Sequence, residues 1–180
     1  MLFRSYFPYP TDFIYVTKST DGGETWSEPT LLDVKKASEQ SLLVGPGRGI
    51  VISTGEHKGR IVFTCYEFTN GDKNSAAIYS DDNGVTWHRG ASAKNFSSEA
   101  VVTEADGKLY MFVRRENVYY VSNDGGETWS DPQAMGISYN ATCQLTATTY
   151  SEKINGKTAI FFACPSNTSS RAARSEEHTS

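Results

Sequence analysis

Apolar residues in this chain come in short runs that break off at turn formers. "DFIYVTK" (12–18), "GIVIST" (49–54), "RIVFTCYEF" (60–68) and "SAAIYS" (75–80) are rich in β-branched and aromatic residues. So are "EAVVTE" (99–104), "KLYMFVRR" (108–115), "NVYYVS" (117–122), "QLTATTY" (144–150) and "TAIFFAC" (158–164). Each has the length and composition of a strand. Between them stand "NGDKN", "ADGK" and "INGK". Asn-Gly and Asp-Gly pairs tolerate positive φ and close tight hairpins, so "ADGK" (105–108) predicts one between its flanking runs. "DVKKASEQ" (33–40) alone hints at helical spacing and is too short to matter. The pattern predicts an all-β chain.

One octet interrupts the strands three times: "STDGGETW" (19–26), "SDDNGVTW" (80–87) and "SNDGGETW" (122–129). In each, Ser and Asp precede a Gly, and Thr-Trp follows. An Asp in a tight turn accepts backbone N–H bonds two or three residues on, and Gly takes the positive-φ position. The Trp is expected to fold back beneath the turn and bury its large face. Asp21, Asp82 and Asp124, with Trp26, Trp87 and Trp129, therefore read as a structural clamp. Equivalent positions on successive repeats point outward around a ring, so these carboxylates would not converge for catalysis. Asp82 and Asp124 are 42 positions apart, close to the ~40–45 residues of a four-stranded propeller blade. Asp21 and Asp82 are 61 apart, which predicts a blade carrying an insertion around "GPGRGI" (45–50). The chain then holds about three to four blades.

With 180 residues the chain is long enough to bury a substantial core. The formal charge of −4 and the lack of a Lys/Arg run give no reason to expect nucleic-acid binding. No apolar stretch approaches the ~18 residues of a membrane-spanning helix, and the start lacks a signal-peptide layout. Cys65, Cys143 and Cys164 lie on separate apolar runs and are expected to be buried free thiols. His57, His88 and His178 are scattered in polar contexts, so no metal site is expected. Residues 174–180, "RSEEHTS", hold no apolar residue. They match the translation of a common sequencing adapter, which leaves residues 1–173 as an incomplete propeller domain.

The octet resembles the Asp box, or BNR repeat, of the sialidases at every defined position. "VGPGRGIVI", "HKGRIVFTCYEF", "IYSDDNGVTWHRG" and "TCQLTATTYSEKINGKTAIFFACPSNTSSR" also resemble the bacterial exo-α-sialidases of glycoside hydrolase family 33. The resemblance implies part of a six-bladed β-propeller whose intact form hydrolyses terminal sialic acids with retention. In that family three arginines hold the substrate carboxylate, because guanidinium offers a charged, paired set of donors. A tyrosine is the nucleophile, activated by a glutamate. "SSEAVVTEADGKLYMFVRR" resembles the strand pair carrying the glutamate and the second arginine, which makes them Glu99 and Arg114. The hairpin is one residue shorter than in many relatives, which leaves Arg115 as the alternative to Arg114. Neighbours on a strand face opposite ways, so only one can line the site. The third arginine falls on Arg171, while Tyr66 and Gln144 are candidate pocket-lining residues.

The resemblance further implies that the first arginine, an Asp acid/base and the Tyr nucleophile lie outside this segment. It implies sialylated glycoproteins, glycolipids or oligosaccharides as partners and no metal or organic cofactor. It places the intact protein as secreted, periplasmic or on a bacterial cell surface. Two other readings stay open: a non-catalytic Asp-box propeller that binds protein or glycan, and another Asp-box glycosidase using two carboxylates.

Overall fold

The computed structural model describes residues 13–94, 97–114, 116–137 and 144–165, and within them the chain is all strand, turn and loop. The strands are β1 (Tyr15–Val16), β2 (Thr30–Leu31), β3 (Ser41–Val44), β4 (Ile50–Val51), β5 (Ile61–Thr69), β6 (Asp72–Ser80) and β7 (His88–Arg89). They continue as β8 (Ala100–Ala105), β9 (Lys108–Val113), β10 (Val118–Ser122), β11 (Gln133–Ala134), β12 (Thr146–Ile154) and β13 (Lys157–Ala163). Every pairing among them is antiparallel.

These strands form four meander sheets in chain order. β8 to β11 make one complete four-stranded blade. Another comprises β5, β6, β7 and an inner strand broken into β3 and β4, both of which pair with β5. The pairs β1–β2 and β12–β13 are two-stranded. The interruption between β3 and β4 is the "GPGRG" stretch, as the sequence led us to expect. It does not explain the whole excess between Asp21 and Asp82, however. A long loop from β4 to β5 and a hairpin of nine-residue strands, β5–β6, add the rest.

Stacking follows from side-chain alternation. Ala76 and Ile78 on β6 pack with Leu42 and Cys65 against Ile14, Leu32 and Val34 of the preceding sheet. Ala77, on the opposite face of β6, packs with Ile52 and Val62 against Val102 and Leu109 of the next. Val101 and Phe112 face Leu145, with Ala147, Ile160 and Phe162 packed behind them. The central sheets are thus buried on both faces, and alanines in β6 let the layers approach. Sheets packed face to face in this order are successive blades.

The second and third octets sit between the third and outermost strands of their sheets, and the first sits between β1 and β2. In the second, Ser80 Oγ donates to Asp82 Oδ1 (2.8 Å) and accepts from the Gly84 N–H (2.8 Å). Asp82 accepts from the N–H groups of Val85 (3.0 Å) and Thr86 (2.8 Å), and from the Thr86 hydroxyl (2.6 Å). Asp21 and Asp124 repeat this with Thr25 and Thr128. The reach is three to four residues, one further than a simple Asx turn, and the threonine hydroxyl completes the ring of donors. Hydrogen bonds from Thr25 and Thr86 hold the Asp21 and Asp82 carboxyls well below the ordinary aspartate range. For Asp124 burial works the other way, but the bonds from Thr128 and Ser122 prevail.

Trp87 packs on the core between its own sheet and the preceding one, and Trp129 does the same one blade later. Trp26 departs from the expected burial: it is 62% exposed. The reason is positional. A box tryptophan packs toward the preceding sheet, and no sheet before β1 is among the described residues.

Polar bridges fasten the layers. Arg60, 5% exposed, donates to both Asp81 oxygens at 2.8 Å and reaches Glu127 (3.1 Å) and the Asp124 and Gly125 carbonyls of the next box. Its guanidinium also lies over the Tyr79 ring at 4.1 Å. Glu104 accepts from the N–H and hydroxyl groups of Ser53 and Thr54. The Cys65 thiol is buried, and burial pushes its pKa up to about 11. Cys164 is only half-buried, since β13 lies in the outermost described sheet; Cys143 and His178 lie outside the described residues. His88 is exposed and His57 half-buried against the third box.

Candidate active site

The β8–β9 hairpin sets the geometry. Asp106 and Gly107 have φ of 50° and 74°, so both take the left-handed conformation that a two-residue hairpin turn requires. The turn pairs Ala105 with Lys108, and the ladder runs unbroken to Ala100 opposite Val113. One step beyond, the Arg114 N–H donates to the Glu99 carbonyl at 2.8 Å. Glu99 and Arg114 are therefore a cross-strand pair, with side chains on one face of the sheet. Arg114 Nη1 lies 2.5 Å from Glu99 Oε2, and the side chains are 24% and 26% exposed. The pair sits at the opposite end of the strands from the box, because Leu109 pairs with Ser122, where the third octet begins.

Pro46, Glu99, Ala100, Arg114, Gln144 and Leu145 line one depression at this end. Gln144 precedes β12 and is exposed. Tyr66 stands on β5, half-buried, with its ring 5.9 Å from that of Phe68. Burial and the negative charge of Glu99 raise the pKa of its phenol, with Arg114 pulling the other way, so it lies within electrostatic reach of both. Four sequence candidates, Glu99, Arg114, Tyr66 and Gln144, thus share a neighbourhood. Arg115 and Arg171 fall outside the described residues. The three box aspartates lie at the far end of the strands, each engaged with its own Ser and Thr.

Pro46 was not among the sequence candidates. It reaches the depression because the inner strand breaks after Val44. The break brings the chain so close to Ala100 that a Cβ on Gly45 would stand 3.0 Å from the Ala100 carbonyl and from Thr64 Oγ1. The signal was present as "GPGRG", which reads as a loop without indicating what it touches. A larger cleft of about 920 Å³ lies between β1–β2 and the next sheet, lined by Trp26, Leu31, Phe63, Val85 and Trp87 among others. It holds no Arg–Glu pair, whereas the smaller depression does. Among the described residues no three His, Cys, Asp or Glu side chains gather as a metal site, and no helix is long and apolar enough to cross a membrane.

Comparison with known proteins agrees with this architecture. The BNR repeat-like domain profile matches residues 1–173, and the chain belongs to that family. It is similar to the anhydrosialidase of Macrobdella decora, 36% identical over 177 positions that cover 91% of this chain and 22% of that protein. The sialidase of Bacteroides fragilis (strain YCH46) is 31% identical, over 88% of this chain and 30% of its own length. Among solved structures, the leech intramolecular trans-sialidase complexed with 2,7-anhydro-Neu5Ac superposes with a TM-score of 0.77 at 35% identity, over 87% of this chain and 24% of that one. The intramolecular trans-sialidase from Ruminococcus gnavus, in complex with oseltamivir carboxylate, gives 0.75 at 32%, over 86% and 33%. The fold is that of the sialidase β-propellers. The chain spans about a fifth to a third of the length of these relatives.

Proposed function

We propose that this chain is part of the catalytic propeller of an exo-α-sialidase acting on terminal sialic acids of glycoproteins, glycolipids or oligosaccharides. The observation that carries the reading is the Glu99–Arg114 pair, set in one depression with Tyr66 nearby, in a chain similar to sialidases along most of its length. Arg114, with Arg171, grips the substrate carboxylate through charge-assisted bonds. Glu99 accepts the proton of a tyrosine hydroxyl, whose oxygen then supplies the electron pair for a bond to the anomeric carbon. The glycosidic C–O pair leaves with the aglycone, which an acid protonates. That tyrosine and that acid are assigned to segments beyond these 180 residues. Tyr66 and Gln144 line the sugar pocket. Such substrates are displayed outside cells, so the protein acts as a secreted, periplasmic or surface enzyme of a bacterium.

The decisive test is Glu99→Gln in the full-length protein. It should lower kcat on a fluorogenic sialoside by about 10²–10⁴-fold, the usual worth of a general base, with little change in Tm. Unchanged kcat would remove Glu99 from the chemistry and favour a binding propeller. A second reading, intramolecular transfer, is favoured by the leech and Ruminococcus relatives. There a hydroxyl of the sugar, in place of water, attacks the covalent intermediate. The products differ by one water in mass, so mass spectrometry of the released sugar separates the two readings.

A further inference from the structure

The roles given to Glu99 and Arg114 conflict in the unliganded chain. A base must want a proton, yet a carboxylate bonded to a guanidinium is held in its charged form. At 2.5 Å the contact is a short charge-assisted bond, and both side chains are about three-quarters buried, which limits screening by water. In the unliganded chain, Glu99 Oε2 is thus already engaged by the guanidinium.

We propose that Arg114 couples substrate binding to base strength: the substrate's carboxylate, on engaging Arg114, draws positive charge away from Glu99 and so raises its affinity for a proton. The base is then armed only when the site is occupied. This rests on the sialidase reading above and adds to it a second, positioning role for Arg114.

The surroundings of Glu99 support the coupling. One residue beyond β9 stands its ion-pair partner Arg114, and on β5 stands Tyr66, whose phenol senses both charges. From its own strand and the neighbouring loops the depression offers Pro46, Ala100, Gln144 and Leu145, all uncharged. Among these described neighbours Arg114 is the one cation, so a new anion there changes the local field by a large fraction. An anion within ~4–6 Å disfavours a carboxylate's charged form, and sharing a guanidinium weakens the bond that held it. The proton Glu99 then takes is the one released by the tyrosine hydroxyl, so charge balances across the step.

The test is an NMR titration of the Glu99 side-chain carboxyl in the full-length protein, free and saturated with 2-deoxy-2,3-didehydro-sialic acid. Occupancy should raise the apparent pKa of Glu99 by at least about one unit, a tenfold gain in proton affinity. In Arg114→Lys, which lacks the paired donors, the free protein should already show a raised value and the ligand should add less. In the wild type, kcat should lose activity toward low pH at a higher pH than kcat/KM does, since the two report bound and free enzyme. Saturable binding with an unmoved Glu99 titration would overturn the coupling and leave the sialidase reading intact. Failure of the analogue to bind the full-length protein would overturn both.

Discussion

The aspartates of the three octets and the glutamate at the head of β8 are all carboxylates, and their neighbours separate their roles. Asp82 takes hydrogen bonds from two backbone amides and from the hydroxyls of Ser80 and Thr86. A group so satisfied gains from staying ionised, which suits a fastening and disqualifies it as a proton acceptor. Its folded pKa lies below the ordinary 3.8, as do those of Asp21 and Asp124. The stability they confer is therefore complete above that ordinary value and is lost as pH falls below it. Urea midpoints should hold steady from pH 7 to about 5 and drop below about 4. Replacing Asp82 and Asp124 together with Asn should flatten that drop; an unaltered acid profile would show that the boxes are not the acid-sensitive element.

Among the elements, the joint between the second and third blades is close-fitting. The Gly90 N–H donates to the Ala77 carbonyl as the outer strand β7 ends, and the Ala91 N–H donates to the Glu127 carbonyl at 2.7 Å. A Cβ on Gly90 would stand 2.1 Å from the Gly126 carbonyl, which is backbone and cannot swing aside. Gly90→Ala should therefore cost about 1–3 kcal/mol, by analogy with overpacking a well-filled core. That corresponds to a fall in Tm of roughly 3–10 °C for a domain of this size. Val85→Ala, at a side chain 75% exposed, should leave Tm within about a degree. Equal effects would mean that the joint has slack. This glycine could not have been singled out from the sequence, because its constraint comes from a carbonyl 36 positions away. By contrast, the Asp106–Gly107 turn was legible, since the residues that need positive φ are the ones that announce it. The long strands were legible for the same local reason. The two-residue outer strands β2, β7 and β11 carry almost no pattern and were missed.

At the scale of the molecule, the two ends of the strands differ in how far the sequence could reveal them. The box end is built from repeats within the chain, so one chain sufficed to reveal it. The opposite end is built from single residues on β5, just before β8, just after β9 and in the loop before β12. No period in the sequence connects these residues, and only family resemblance grouped Glu99 with Arg114. Pro46 escaped even that. Because the chain covers a minority of its relatives' length, the 180 residues alone should show no turnover of a fluorogenic sialoside under conditions where the full-length protein is active. Measurable hydrolysis by the short chain would mean that Glu99 and Arg114 work without the distant partners assigned to them.

The unequal burial of the three tryptophans gives the molecule an optical handle. Trp87 and Trp129 should emit in the blue, shielded by the layers they join, while Trp26 in water emits to the red and is open to collisional quenchers. Docking of a further layer against the first sheet in the full-length protein should shift the emission of Trp26 alone, so a Trp87→Phe, Trp129→Phe background would report by colour whether that layer has docked.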